Sequence, residues 1–378
     1  GSINIGGNTA LGDVTSTTSD GIYAVASGGG ITVDTTDGSV SGYTSGVSAE
    51  DLTGAVAITT ADVESTKNDG TGIIADSGNG LTIDTTAGSV NSMFRGILAR
   101  DFGTGDISVT TADVTAGTSN GIFARAENGS VTIDSSAGAV TGSSSGILAF
   151  LPGTGNVAIT ADDVTGSTNG ISSRNVGGGT TVINLTSTAD VVGTTGRGIY
   201  ADSTGSDADI TVQGSSSNIT GGTNGLEIVT VGADILVQNL GSVTGNAGNG
   251  LDLDSSGGAI TVSAVDTILG TGGNGILANS AGGDISIQGS GIVGGVTGTN
   301  GAGIFADATG GAGSINIGGI SANGDVTSTT SDGINAVASG GGITVDTTDG
   351  SVSGHTSGIY AKDFAGAIAI TTADVEGT

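Results

Sequence analysis

The sequence predicts an all-β protein, a parallel β-helix solenoid of about 14 coils with about 26 residues in each coil. A motif of the form Gly-Ile/Leu/Val-x-Ala first occurs at residues 21–24, and it returns along the chain at intervals of 24 to 30 residues. Between its copies, β-branched and polar residues alternate over four to six positions, and glycine-rich turns separate these stretches. No apolar stripe of helical period accompanies them, so we expect strands alone.

Each coil is predicted to hold two or three short strands. Within the motif, the glycine allows a tight corner or a positive φ, and Ile22 and Ala24 point inward. In the next strand Ile31 and Val33 point inward, so that their copies in neighbouring coils stack about 4.8 Å apart. An array of antiparallel hairpins is the main rival. It would need two-residue Asp-Gly or Asn-Gly turns at regular sites, whereas Asp20 and Gly21 lie inside the strand-opening motif.

A second, longer repeat sets the domain organisation. Residues 1–66 and 313–378 align without a gap, with 54 of 66 positions identical at an offset of 312 residues. We therefore predict a single continuous β-helix over 1–378, containing one super-repeat of 312 residues and the start of the next. We expect it to be a fragment of a longer tandem array.

Composition limits the classes of partner. Seven Lys and Arg against 36 Asp and Glu give a net charge of −29, which disfavours nucleic acid and anionic membrane surfaces. The chain has no cysteine, and no apolar run is long enough for a transmembrane helix. We expect no binding to nucleic acid and no membrane insertion.

The repeats resemble those of a known class of surface proteins. Residues 20–24 (Asp-Gly-Ile-Tyr-Ala) followed by residues 30–33 (Gly-Ile-Thr-Val) are similar to the passenger repeats of bacterial autotransporters and filamentous-haemagglutinin-like proteins. The resemblance is one of pattern, and it extends over essentially the whole chain. It implies a right-handed coil, secretion, and a location outside the cell or on the bacterial surface.

Parallel β-helices also include polysaccharide lyases and glycosidases, so a catalytic site is an alternative. Such a site needs convergent carboxylates, commonly with a cation for the sugar acid. Here Asp34 and its copies recur with the repeat, as turn and ladder residues do, and the seven basic residues are scattered along the sequence. The single His355 replaces Tyr43 in the second copy, which marks a tolerated surface position. We predict no catalytic residues and no enzyme.

We predict no cofactor and no obligatory metal site. The sequence echoes the Gly-Gly-x-Gly-x-Asp calcium repeat at a few points, but never at its nine-residue period. Equivalent Asp residues two coils apart would be about 10 Å from each other, too far to share an ion. Only loosely bound calcium in the acidic turns is compatible with this pattern.

The third residue of the motif is the candidate interaction site. If Ile22 and Ala24 point inward, the residue between them points outward, and at nine of 14 copies it is large and apolar or aromatic. An outward apolar stripe indicates a partner surface or a covering segment, although packing against a neighbouring turn would also account for it. The nine residues are Tyr23, Ile74, Leu98, Phe123, Leu148, Tyr200, Leu277, Phe305 and Tyr360.

These observations predict a structural, non-enzymatic repeat segment of a giant bacterial cell-surface or extracellular protein. It would form a rod or filament for adhesion, cell–cell contact or surface coating. The expected partners are copies of itself, through head-to-tail continuation or lateral bundling, or a surface or glycan ligand. The alternative is a carbohydrate-binding or carbohydrate-cleaving β-helix of the lyase or tail-spike type.

Overall fold

The computed structural model describes residues 1–6, 12–205, 208–288, 294–319 and 324–377. Within these ranges the chain forms strands and no helix, and parallel pairing stacks the strands as a β-solenoid of about 14 turns. The predicted parallel β-helix is therefore confirmed. The chain divides into two compact units, residues 1–180 and residues 181–378, which are described separately.

Unit 1 holds three strands in most coils. They are β1 Ile3–Gly6, β2 Val14–Thr15, β3 Ile22–Val25, β4 Ile31–Thr35, β5 Val40–Gly42, β6 Ser45–Asp51, β7 Val56–Thr60, β8 Val63–Ser65, β9 Thr71–Ser77, β10 Leu81–Thr85, β11 Val90–Ser92, β12 Arg95–Asp101, β13 Ile107–Thr111, β14 Val114–Ala116, β15 Ile122–Ala126, β16 Val131–Ser135, β17 Val140–Gly142, β18 Ser145–Leu151, β19 Val157–Ala161, β20 Val164–Gly166 and β21 Asn169–Asn175.

Unit 2 keeps the same order but merges two of the three strands in several coils. Its strands are β22 Thr181–Leu185, β23 Asp190–Gly193, β24 Ile199–Ser203, β25 Ile210–Gly221, β26 Leu226–Thr230, β27 Ile235–Gly245, β28 Leu251–Ser255, β29 Ile260–Gly270, β30 Ile276–Ser280, β31 Ile285–Gln288, β32 Gly295–Gly298, β33 Ile304–Ala308, β34 Ile315–Gly318, β35 Val326–Ser328, β36 Ile334–Ala338, β37 Ile343–Gly354, β38 Ile359–Asp363 and β39 Ile368–Gly377.

In each unit the strands that carry the motif form one sheet, called the motif sheet. In unit 1 its order is β3–β6–β9–β12–β15–β18–β21. In unit 2 its order is β24–β26–β28–β30–β33–β36–β38. The remaining strands of each unit form the second sheet, for example β4–β7–β10–β13 in unit 1 and β25–β27–β29 in unit 2. All of these pairings are parallel.

The core is a set of stacked aliphatic columns that run from coil to coil. Ile22 pairs with Val47, and the series continues in register through Ile73 and Ile97. These inward residues are buried, while the residues between them face outward, as strand alternation requires. Ala24 is also buried, so the predicted inward stack of motif Ile and Ala is confirmed.

The motif glycine is required by space, not by backbone conformation. None of the glycines at this position in the described copies has a positive φ, so of the two predicted alternatives it is the tight corner that applies. A Cβ atom on Gly121 would lie 2.6 Å from Val140 Cγ1 and 2.7 Å from the carbonyl oxygen of Gly146. The same close approach to a valine or isoleucine of the same coil recurs at other motif glycines, Gly225 and Gly303 among them. The corner therefore closes by packing backbone directly against an inward aliphatic side chain.

Candidate functional site

The predicted stripe lies in one outward column of the motif sheet. Strand register aligns its members coil by coil, so they are direct neighbours along the ladder. In unit 1 the column reads Tyr23, Ser48, Ile74, Leu98, Phe123, Leu148 and Ser172. In unit 2 it reads Tyr200, Glu227, Asp252, Leu277, Phe305, Asn335 and Tyr360. The structure thus groups the nine candidates into two sets, five in unit 1 and four in unit 2.

The members of the stripe differ in exposure. Tyr23 is 67% exposed and Tyr360 is 42% exposed, whereas Leu98 is buried at 8%. The other six candidates are half-buried, because side chains of adjacent coils in the same column cover one another. The apolar column of unit 1 is therefore a low, nearly continuous ridge.

A second outward column in unit 1 brings arginines and aromatic rings together. The next outward position along the motif strands reads Arg100, Arg125, Phe150 and Arg174 on β12, β15, β18 and β21. Arg95 is the first residue of β12 in the same sheet. Four of the seven basic residues, which are far apart in the sequence, thus lie on three of four neighbouring strands of the motif sheet, two of them on β12. We call Arg95, Arg100, Phe123, Arg125, Phe150 and Arg174 the basic-aromatic face.

Arg95 is the most constrained cation of this face. Its guanidinium carbon lies 5.2 Å from the ring centre of Phe94 and 5.3 Å from that of Phe123, which is cation–π geometry. Its Nε atom is buried and has no hydrogen-bond partner. Burial and the neighbouring charge of Arg100 lower the pKa of Arg95. The local environment thus disfavours this positive charge.

The other arginines of the face combine ring contacts with ion pairs. Arg125 and Arg174 both stack on Phe150, at 5.6 and 5.8 Å from the ring centre. Arg100 makes a bidentate pair with Asp76 at 2.7 and 2.6 Å, and Arg125 pairs with Glu127 at 2.5 Å. Rigid guanidinium planes on aromatic rings hold their positions with little loss of freedom, so the face is pre-ordered.

The corresponding face of unit 2 is acidic. Glu227 and Asp252 are adjacent in the stripe column, and Asp254 and Asp307 stand in the next outward column. These four residues are called the acidic face. Burial raises the pKa of Asp252, and the negative charges of Glu227 and Asp254 raise it further, against hydrogen bonds from Asn249 and Asn224. Arg197 offsets part of the charge through a bidentate pair with Glu227 at 2.8 and 2.9 Å.

Most other carboxylates with described contacts hold turns together. Asp34 accepts hydrogen bonds from the backbone N–H and the hydroxyl of Thr36. Asp62 does the same for Ser89 in the following coil. Asp51 is the last residue of β6 and is buried. It accepts hydrogen bonds from the backbone N–H groups of Gly28, Gly30 and Gly54 at 2.7, 2.8 and 2.9 Å. Sequence alternation alone did not reveal this inward Asp, which recurs as Asp101 and Asp363.

One shallow cleft lies on the second sheet of unit 2. It has a volume of about 570 Å³, and Ser216, Asn239 and Ala264 lie among its lining residues. These three residues have φ values of 72°, 57° and 52°, and register stacks them at the same place in three successive coils. The cleft is a ladder of left-handed bulges at the point where two strands of unit 1 type merge into one. It contains no aromatic side chain and no cation.

Across the described ranges, no group of three or more His, Cys, Asp or Glu residues is arranged to hold a metal ion. The described part of the chain also contains no helix of the length and apolarity needed to span a membrane. Comparisons of the chain with protein-family models, with curated proteins and with solved structures found no match.

Proposed function

We propose that this chain is a structural, non-enzymatic repeat segment of a large bacterial cell-surface protein. Its coils would form a rod or filament that serves adhesion, cell–cell contact or surface coating, outside the cell. The observation that carries the proposal is the coil-to-coil register of each unit. In the described residues, successive coils place aliphatic side chains inward in the same parallel register, so stability adds coil by coil.

The surface chemistry supports the same proposal. Carboxylates in the turns accept hydrogen bonds at positions that recur with the repeat, for instance Asp34 from Thr36 and, two coils further on, Asp84 from Thr86. A carboxylate that holds a turn and recurs with the repeat is expected where the repeat is selected for its scaffold. The outward column of the motif sheet instead changes from coil to coil, from Phe123 to Ser172 in unit 1. Variation at outward positions of the motif sheet favours a contact surface presented on a repeating scaffold.

The proposal is tested by adhesion of cells that display the chain. Tyr23→Ser, Phe123→Ser and Tyr200→Ser are combined in one variant, and display level is matched to that of the unaltered chain. We expect adhesion to surfaces, or clumping of cells, to fall by at least about tenfold, because large aromatic side chains dominate contact energies.

The matched control replaces apolar residues that are exposed but lie outside the stripe. Tyr43, Leu52 and Phe364 are 40%, 52% and 63% exposed, and their serine variants should adhere as the unaltered chain does. Equal loss in both variants, or turnover of polygalacturonate or another glycan by the purified chain, would contradict the proposal.

A further inference from the structure

On its outward side, the motif sheet concentrates arginines in unit 1 and carboxylates in unit 2. The basic-aromatic face of unit 1 concentrates four arginines in a protein with a net charge of −29. The acidic face of unit 2 sets Glu227, Asp252 and Asp254 close enough to one another for their charges to interact. Arg95 and Arg100 repel each other in unit 1, and Glu227 and Asp254 repel Asp252 in unit 2. Asp76, Glu127 and Arg197 offset part of these charges, and a surface of opposite charge would reduce the repulsion that is left.

The spacing of the charges also matches. On β15, β18 and β21 the second outward column reads Arg125, Phe150 and Arg174, so the two arginines are two coils apart. On β28, β30 and β33 the same column reads Asp254, Asn279 and Asp307, and these two carboxylates are also two coils apart. In parallel ladders this separation is about 10 Å in both cases.

We infer that the basic-aromatic face of one copy binds the acidic face of a second copy of this chain. Arg125 and Arg174 then meet Asp254 and Asp307, and Phe150 lies against Asn279. The inference rests on the proposed structural function and names the surfaces through which two copies of the chain associate laterally. A second solenoid fits this face better than a flexible acidic polymer does, because its carboxylates are fixed at the coil spacing of the arginines.

Ionic strength decides where the contact is measurable. At about 0.15 M salt the screening length is about 8 Å, so repulsion between distant parts of two acidic chains is damped while close ion pairs are not. We expect self-association near that ionic strength, and weaker association at about 1 M salt, where the screening length is about 3 Å. Sedimentation equilibrium of the full chain gives the dissociation constant.

A charge exchange tests the named residues. Arg125→Asp combined with Arg174→Asp, and separately Asp254→Arg combined with Asp307→Arg, should each weaken self-association by at least about tenfold. In an equimolar mixture, both faces of one variant are opposite in charge to the faces that they meet on the other variant, so the two should associate with each other. Circular dichroism and thermal melting confirm that each variant is folded.

Two variants with smaller changes of charge keep the test decisive if a reversed charge disturbs the fold. Arg125→Gln with Arg174→Gln removes two positive charges, and Thr82→Asp with Thr132→Asp adds two negative charges at exposed positions of the second sheet. The net charge changes equally, but only the first variant should lose association. Equal effects of the two variants, a mixture of the reversed variants that fails to associate, or a chain that stays monomeric throughout would overturn the inference.

Two further readouts separate this inference from its alternatives. If polygalacturonate binds the face and the arginine variants abolish that binding while self-association is unaffected, the occupant is an acidic glycan and the inference is wrong. If cells displaying the chain still adhere through the apolar stripe while the purified chain remains monomeric, the inference fails and the proposed function stands. If neither the stripe variant nor its control loses adhesion, that result contradicts only the proposed function.

Discussion

At the scale of single residues, the motif glycine shows how closely each coil is closed. Val140 Cγ1 and the carbonyl oxygen of Gly146 occupy the space that a side chain at Gly121 would need. The valine is a core residue and the carbonyl belongs to the next coil, so neither can move without disturbing a neighbour. The same glycine thus supports the packing of its own coil and the seating of the coil beside it.

We expect Gly121→Ala to destabilise the protein by about 1–3 kcal/mol, because the added methyl group overpacks a filled corner. Gly257→Ala is the matched control, since its Cβ atom would meet only Gly232 Cα at 3.4 Å. That variant should lie within about 0.5 kcal/mol of the unaltered chain. Urea unfolding followed by circular dichroism measures both, and similar values for the two would show that the corner has room to adjust.

At the scale of strands, the same sequence forms different elements in different coils. Residues 28–40 and 340–352 are identical, yet the first copy contains a turn between β4 and β5 whereas the second runs on as the single strand β37. The neighbouring strand explains part of the difference, because β37 pairs along its length with the long strand β39, with one register shift. Local propensity is weak in a solenoid, and the adjacent coil selects the backbone.

The bulge ladder of unit 2 gives a test at this scale. Ala264 has a φ of 52°, a left-handed conformation that costs a residue with a Cβ atom about 1–2 kcal/mol. Ala264→Gly should therefore stabilise the chain by about 0.5–1 kcal/mol after the greater freedom of glycine in the unfolded state is counted. Ala278→Gly, on the buried side of β30, should instead lose about 1–2 kcal/mol. A loss in both variants, measured by thermal or urea unfolding, would mean that Ala264 is held by contacts of its methyl group.

At the scale of the whole molecule, the acidic composition makes stability depend on pH. Burial alone would raise the pKa of Asp51, but backbone N–H groups of Gly28, Gly30, Thr53 and Gly54 outweigh it and hold this pKa below its ordinary value. Hydrogen bonds from the backbone and hydroxyl of Ser314 lower the pKa of Asp284 in the same way. Such groups stabilise the fold fully above their unfolded pKa of about 3.9, and the stabilisation is lost as pH falls through the folded value.

The pKa of Asp252 is shifted in the opposite direction. Its raised pKa, caused first by burial, means that its contribution is complete below the unfolded value and is lost as pH rises through the folded value. Because carboxylates with a lowered pKa, such as Asp51 and Asp284, become protonated at low pH, we expect the urea concentration at the unfolding midpoint of the unaltered chain to decrease as pH is lowered from about 5 to about 3. Asp252→Asn should raise the midpoint at pH 7 and leave it unchanged at pH 3. An unchanged midpoint at both pH values would show that the carboxylate is not penalised in the fold.

The repeat predicted the architecture because its period is visible in the sequence itself. The inward positions of Ile22 and Ala24 and the outward position of Tyr23 follow from alternation, and the structure confirms them. Contacts between coils were harder to predict. Arg100 and Arg125 are 25 residues apart in the sequence, and only the strand register makes them neighbours. Alternation also gives no sign of an inward carboxylate such as Asp51, because only the turn that it binds makes its burial favourable.

The agreement between the two copies has a consequence for how such a chain can change its length. Strands β34 to β39 follow the order of β1 to β8, because β37 and β39 each span two of the earlier strands. Where inward residues of the two copies differ, as Val47 and Ile359 do, both are aliphatic. An unequal crossover between the two copies of the gene segment would join coils whose inner residues already match. Coils could then be gained or lost in blocks of 312 residues without any new core being selected, so the number of coils can evolve independently of the surface that they present.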